Sequence, residues 1–272
     1  TMKNIFPEIS VIIPAFNAHK TIVRSLNSIK AQNFPLEKVE VIISVDDKKN
    51  YSEISEILPN IKILYSKYKK QTGPGETRNR AISLARGRVI SFLDADDTWS
   101  KNYLKPLKYY AMRYGLAFGQ TEVLDEEGNN LLNLKNNKFL TIKDFGKIPG
   151  SFHPVVLKKY AGPFVSLRSQ DVGHSIKLLK NFNGRAKLLL KSKYQIWLNK
   201  KSLTNKRDFS RKIDLDYKEW IAIFRKQKLE TKLKNHIVNS FELRRDWNRR
   251  YKNYIQDSKL ISFYEYISSR IK

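Results

Sequence analysis

Three carboxylates crowd one short stretch of this chain: in RVISFLDADDTW (88–99), Asp94, Asp96 and Asp97 follow directly on an apolar run. Like charges this close repel one another and raise each other's pKa unless a cation stands between them. The cluster calls for a divalent metal, a basic neighbour, or the plainer alternative of a solvated turn capping the next helix. Two further segments weigh against the plain turn. Asp46-Asp47 closes VEVIISVDD (39–47), and Gly73-Pro74-Gly75 opens GPGETRNR, which would offer helix N-terminal amides and Arg78 to an anion. Chemistry that wants acids and an anion-binding helix start together is group transfer from a nucleoside diphosphate. Carboxylates hold a hard cation, Mn2+ or Mg2+, through oxygen. The cation neutralises the diphosphate and makes it a better leaving group. A second acidic pair can accept hydrogen bonds from a ribose or a base N–H. The Gly-Pro-Gly alone is a weak signal, matching neither the P-loop nor the dinucleotide fingerprint.

The elements that must position these residues alternate in type. EISVIIP (8–14), VEVIISVDD (39–47), IKILYS (61–66) and RVISFLD (88–94) are short, β-branched apolar runs, as expected of strands buried on both faces. Between them, 18–32 carries Ile22, Leu26 and Ile29 at helical spacing with Asn17 as its expected N-cap, and 75–87 closes on Gly87. This order predicts an α/β fold with a mainly parallel, doubly wound sheet and helices on both faces. Acidic residues then sit at the carboxyl ends of two strands, where open α/β sheets bind ligands. Further on, a helix is expected near 101–114, a hairpin around Glu127-Gly128-Asn129, strands in HPVVLKKYA and RAKLLLKSKYQIWL, and a helix near 171–181. From about Asp214 the pattern is helical and aromatic, with Trp220, Ile221 and Phe224 on one face and Leu229, Leu233 and Ile237 on another.

Charge is the dominant compositional feature: 52 Lys and Arg against 26 Asp and Glu give a net +26 over 272 residues. A polyanionic partner follows, and nucleic acid, an anionic membrane surface and a phosphorylated substrate all qualify. Ten basic residues and no acidic one lie between Lys177 and Arg207, either a solvated basic face or a docking surface. The absence of cysteine excludes disulfides and thiolate metal sites. No apolar run approaches the roughly 18 to 20 residues needed to cross a bilayer, and TMKNIFPEIS does not read as a signal peptide. A cytoplasmic protein is expected. The histidines show no zinc spacing; His19 and His236 read as surface positions.

SVIIPAFN, VIISVDD and GPGETRNRAISLARGRVISFLDADD together resemble the nucleotide-sugar-binding half of family-two glycosyltransferases with the GT-A (Rossmann-like) fold. The pattern runs across residues 8 to about 100 and more loosely to about 205. The resemblance implies that Pro14, Ala15 and Asn17 line a nucleoside pocket and that Asp46 and Asp47 meet the base and ribose. It places Arg78 and Asn79 near the donor. Asp94, Ala95 and Asp96 would form the DxD motif, with Asp94 toward the ribose and Asp96, together with Asp97, on the metal. Lys48-Lys49 stands where the family carries small polar residues. The family's general base matches Asp171 in LRSQDVGHSIKLLK, with Gln170 in place of the first acid of the usual Glu-Asp pair; an ordinary helix-capping role for Asp171 is the alternative. His153 and His174 fall near the acceptor side. RAKLLLKSKYQIWLNKKSLTNKR resembles the family's late strand and Ser-Leu loop near the donor, and the QxxRW signature of processive synthases is absent.

These readings predict a GT-A domain over 1–209, with a donor half (1–100) and an acceptor half (101–209), and a helical C-terminal appendage over 210–272. The appendage would pack on the main domain, lie on a membrane surface, or both. The expected activity is metal-dependent, inverting transfer from a nucleotide sugar, UDP-linked in the family's manner, to a surface-glycan or lipid-linked acceptor, with single additions rather than polymerisation. The protein would sit in the cytoplasm, peripheral on the inner face of the membrane. The rivals are a basic nucleic-acid-binding protein, which lacks any recognisable binding signature, and a glycosyltransferase-like domain without activity.

Overall fold

The structure is a computed structural model that describes residues 6–68, 70–198, 209–257 and 261–271. Its first half follows the expected alternation: β1 (Ile9–Ala15), α1 (Ile22–Lys30), β2 (Val39–Val45), β3 (Ile61–Tyr65), α2 (Gly73–Leu84) and β4 (Val89–Phe92). These four strands pair in parallel in the order β3-β2-β1-β4. Ile9 is level with both Val39 and Val89, so the carboxyl ends of β1, β2 and β4 emerge along one edge. That shared register brings the segments after Ala15, Val45 and Phe92 together.

The second half supplies β5 (Thr98–Trp99), α3 (Leu104–Tyr114), β6 (Leu116–Leu124), β7 (Asn130–Asn133), β8 (Phe139–Thr141), α4 (Asp144–Lys147), β9 (Pro154–Leu157), α5 (Gln170–Asn181) and β10 (Arg185–Trp197). Here the sheet is mixed. β9 inserts antiparallel between β4 and β6, and β10 returns parallel to β6 with a register shift between Leu189 and Lys193. The expected hairpin is present: β7 folds back on β6 around Gly128, which has the positive φ of 90° that glycine tolerates. Three helices end the described chain: α6 (Phe209–Lys226), α7 (Thr231–Asp257) and α8 (Phe263–Ser268). None of the described helices is long and apolar enough to cross a membrane.

An apolar core lies on each face of the sheet. One packs Ile22, Leu26 and Leu107 of α1 and α3 against Val11, Val41 and Ala117. The other packs Phe92, Phe118 and Ile176 with Trp220, Phe224, Ile237, Phe241 and Tyr266, so the C-terminal helices bury their aromatic stripe in a core shared with the sheet. Gly173 permits this approach: a Cβ there would come within 2.0 Å of the Trp220 ring. Arg244 of α7, 4% exposed, donates to the carbonyls of Phe145 (2.8 Å), Pro149 (3.0 Å) and Gly150 (3.1 Å), tying the loop before β9 to the appendage.

Two local expectations are corrected. Asn17 does not cap α1, whose N-cap is Thr21; Asn17 has φ 51° and turns its N–H to Asp47 (2.5 Å), because a tight turn separates β1 from the helix. The strand expected over 88–94 ends at Phe92, which leaves Asp94 in the turn beyond it.

Candidate active site

Asp46 and Asp47 leave β2 in different directions of use. Asp46, 7% exposed, accepts from the Thr72 and Gly73 amides (2.9 Å each) and the Thr72 hydroxyl (2.8 Å), and it pairs with Arg80 at 3.2 Å. It satisfies the first amides of α2 that no intrahelical carbonyl can reach, and its charge suits the positive helix end. Asp47 binds the β1 turn instead: beside Asn17 N–H it accepts from Lys49 N–H (3.1 Å) and Tyr51 Oη (2.9 Å). Burial alone would raise the Asp47 pKa, but those donors outweigh it and hold the carboxyl below its ordinary value. Lys48 takes the left-handed φ of 58° between them. Pro14 and Ala15 form the end of β1 beside this turn, with Ala15 buried and Pro14 half-buried.

The acidic cluster is built on β4 and braced by β10. Arg78, 3% exposed, forms an ion pair with Asp94 Oδ1, and His153 Nε2 lies 3.8 Å from Asp94 Oδ2. Burial would push the Asp94 carboxyl up, but the Arg78 charge and His153 win and hold it well below the usual carboxylate range. Asp97 accepts from Tyr194 Oη (3.0 Å) and Trp197 N–H (3.1 Å), while Asp94 N–H donates back to Tyr194 Oη (3.0 Å). Burial and the charges of Asp96 and Asp94 raise Asp97 well above its ordinary pKa. Asp96 is different: it is exposed, in the turn between Asp94 and Asp97. Desolvation and the nearby Asp94 charge push its carboxyl up to about 6.

That donor set fits a cation shared with a ligand rather than a cage made by protein alone. Among the described residues no group of three or more His, Cys, Asp or Glu is arranged to hold a metal. Mg2+-type sites use one or two carboxylates, with water and substrate phosphates completing the shell. The raised Asp96 pKa marks uncompensated negative potential, which a divalent cation would relieve.

Sequence reading missed Arg24 and Tyr194, which brace the cluster. Arg24 donates to the Asp96 carbonyl (2.8 Å) and lies 4.0 Å over the Trp197 ring. Tyr194 stacks on His153 with centroids 3.7 Å apart and planes at 7°. Nothing in local spacing links residues 24, 153 and 194; the β4–β9–β6–β10 order brings 153 and 194 together, and Arg24 reaches over from α1 to the Asp96 turn and Trp197. The Lys-rich Ser-Leu loop expected near the donor lies outside the described residues.

Asp171 opens α5 one residue after Gln170, and its Oδ2 accepts from Ser151 Oγ at 2.7 Å. Two residues along the same loop stands His153, so the segment 151–153 touches both Asp171 and Asp94. Asn79 exchanges hydrogen bonds with Phe164 O (3.0 Å) and Phe164 N–H (2.8 Å). His174 is a core residue: 3% exposed, hydrogen-bonded to Ala161 O (2.8 Å) and stacked on Phe164 at 3.8 Å. Burial lowers its pKa to about 3. Its folded pKa lies below the unfolded value, so its stabilising share is complete above about 6.5 and is lost as pH falls toward 3. In urea titrations His174 is expected to contribute about 1.4 kcal/mol of stability loss per pH unit in that window, and a His174→Gln variant should show a correspondingly shallower acid slope.

Comparison with known proteins agrees with this geometry. Residues 10–160 match the family described as glycosyl transferase family 2. An uncharacterised glycosyltransferase of Methanocaldococcus jannaschii is 29% identical over 252 residues, covering 86% of this chain and 80% of that protein. The Escherichia coli UDP-Glc:alpha-D-GlcNAc-diphosphoundecaprenol beta-1,3-glucosyltransferase WfgD is 27% identical over 187 residues, 64% of this chain and 71% of its own length. Among solved structures, Staphylococcus aureus TarS 1–349 in complex with UDP-GlcNAc superposes with a TM-score of 0.68 at 20% identity, over 87% of this chain and 72% of that one. A GT-A sheet that ends in acidic turns, and a family match spanning every one of those turns, lead to one conclusion: this chain belongs to glycosyl transferase family 2 and is a nucleotide-sugar glycosyltransferase.

Proposed function

We propose that the enzyme is metal-dependent and inverting, and that it moves a sugar from a UDP-sugar to a hydroxyl of a lipid-linked or polymeric surface glycan. The observation that carries this reading is the 151–153 segment, which joins Asp171 to the paired Asp94, two residues before the exposed Asp96. Pro14, Ala15, Asn17 and Asp47 would bound the nucleoside pocket, and Asp46 would act by holding the start of α2 rather than by its own oxygens, all of which face donors already. Arg78 and Asn79 would fix Asp94 and the loop at Phe164 beside the donor.

Asp96, with Asp97 holding its turn against β10, would carry Mn2+ or Mg2+; bound there, the cation would offset charge on the departing diphosphate. The Asp171 carboxylate would take the acceptor hydroxyl's proton as that oxygen bonds to the anomeric carbon. The bond from that carbon to the diphosphate oxygen breaks on the opposite face, which inverts the centre through an oxocarbenium-like transition state. A UDP donor is favoured by the donors named for WfgD and for the TarS complex. The net charge of +26 suits an enzyme peripheral to an anionic membrane on the cytoplasmic side.

Thermal shift with UDP, GDP and CDP, each with and without Mn2+, tests the donor side. Stabilisation by UDP that requires Mn2+, about 2.7 kcal/mol at a hundredfold excess over Kd, is the expected result. Equal stabilisation without metal would overturn metal dependence, and a larger response to GDP would overturn the choice of base.

A further inference from the structure

Helices α6 and α7 frame a surface groove of about 370 Å3. Arg211, Lys218, Arg245, Arg249 and Lys252 line it against Asp214 and Glu242, an excess of three positive charges. The two acids answer only part of that set. Asp214 meets Arg245 at 2.9 Å and Lys218 at 3.5 Å, and Glu242 meets Arg245 at 2.9 Å. Beside the groove Asp246 pairs with Arg250 and, at 2.7 Å, with Arg249; Asp246 and Arg250 together add no net charge.

Leu215 stands among these bases and is 56% exposed. It shares one face of α6 with Arg211, four residues before it, and Lys218, three after it. A bilayer interface uses both kinds of group. Basic heads meet lipid phosphates, while an aliphatic side chain and the stems of lysine and arginine reach below them. Nucleic acid is the other polyanion that the charge admits. Grooves for single strands stack the bases on aromatic rings, and no aromatic residue lines this groove. Phosphate contacts to a duplex would leave Leu215 without a role.

The groove also borders the catalytic side of the fold. Ser210 and Asn248 line it and line a second cavity as well, the one that contains Asp171 and is walled by Tyr217, Tyr251 and Phe263 of α6, α7 and α8. Asn248 Nδ2 donates to Ser210 O at 2.7 Å, which ties α7 to α6 between the two.

We infer that the α6–α7 groove, with Leu215 among its bases, is the face that docks this enzyme on an anionic phospholipid surface. Bound there, the enzyme holds its Asp171 side toward the lipid. The inference rests on the peripheral membrane location proposed above and adds to it the surface that makes the contact.

The test is co-sedimentation of the full chain with vesicles of phosphatidylcholine, alone or with about 30% phosphatidylglycerol. The parent should bind the anionic vesicles and not the neutral ones, and about 0.5 M salt should release it. Each Lys or Arg near such a surface is worth about fivefold in partitioning, so Lys218→Glu with Lys252→Glu should weaken binding at least about 25-fold. Leu215→Gln should weaken it severalfold without changing the salt dependence. Lys101→Glu with Lys105→Glu alters net charge equally, at exposed positions by α3 on the other face of the sheet, and should cost less than about threefold. UDP and Mn2+ titrations on the same samples should match the parent and report folding.

Equal loss in the two charge pairs would mean attraction of the whole molecule and would overturn this face. Undiminished vesicle binding in a folded Lys218→Glu, Lys252→Glu protein would do the same and leave the peripheral location standing. A parent that ignores lipid charge, or binds neither vesicle, would overturn both. Binding of duplex DNA that the α6–α7 pair loses, with vesicle binding kept, would assign the groove to nucleic acid instead.

Discussion

Asp96→Ala is expected to lose manganese-dependent UDP binding, with affinity for the metal–nucleotide pair falling at least about a hundredfold. Outer-shell partners of a metal already cost about 10- to 100-fold when removed, and a group that touches the ion should cost no less. The side chain is exposed, so folding should survive the change. The same carboxyl sets a pH dependence. Its pKa is raised to about 6, so between about pH 4 and 6 the folded, metal-free protein holds a proton that the unfolded chain has given up. The folded protein should therefore lose stability as pH rises from about 4 to about 6 and stay level above that, and Mn2+ should reduce the loss. Conversely, manganese affinity should weaken below about pH 6, where proton and metal compete for one site. Calorimetric titration at pH 5, 6 and 7 reads both. Unchanged UDP affinity in Asp96→Ala with Mn2+ present would sink the assignment of the metal site.

Asp171→Asn should leave UDP and Mn2+ binding as in the parent while kcat falls about 10²- to 10⁴-fold, the range that general-base catalysis commonly supplies. The isosteric amide can still accept from Ser151 Oγ, so the loop that connects it to His153 should stay in place. Asp171 also stands in the first turn of α5, where a negative charge favours the helix by about 0.3–1 kcal/mol. A purely capping role would thus show as a small loss of stability with kcat nearly intact. Loss of donor binding would show instead that Asp171 belongs to the nucleotide pocket. Steady-state kinetics beside a denaturation curve separates the three.

The two variants probe residues of unequal legibility. Asp94, Asp96 and Asp97 stand out in the chain because acids are scarce in it and because they follow a buried strand. Asp171 was located only through resemblance, since a carboxylate in a first helical turn is ordinary by itself. The division of labour inside the acidic cluster was not legible at all. Asp97 is drawn onto Tyr194 and Trp197, about a hundred residues away, and this leaves Asp96 exposed. Asp46 looked like a ligand to a nucleoside, yet its oxygens receive the first amides of α2, a contact made when β2 and α2 dock. Asn17 looked like a cap, yet its left-handed backbone serves Asp47.

From order and periodicity alone came the strands of the first half, the acidic turns at their ends, and the aromatic stripe of the last helices, because each is written in neighbours a few residues apart. Tertiary structure decided the antiparallel insertion of β9, the bracing of the cluster by β10, and the closing of α6–α8 over Asp171. Those features depend on which distant surfaces meet, and burial energy selects such meetings from the shape of the whole chain. A local pattern says that a face is apolar; it does not say what that face will cover.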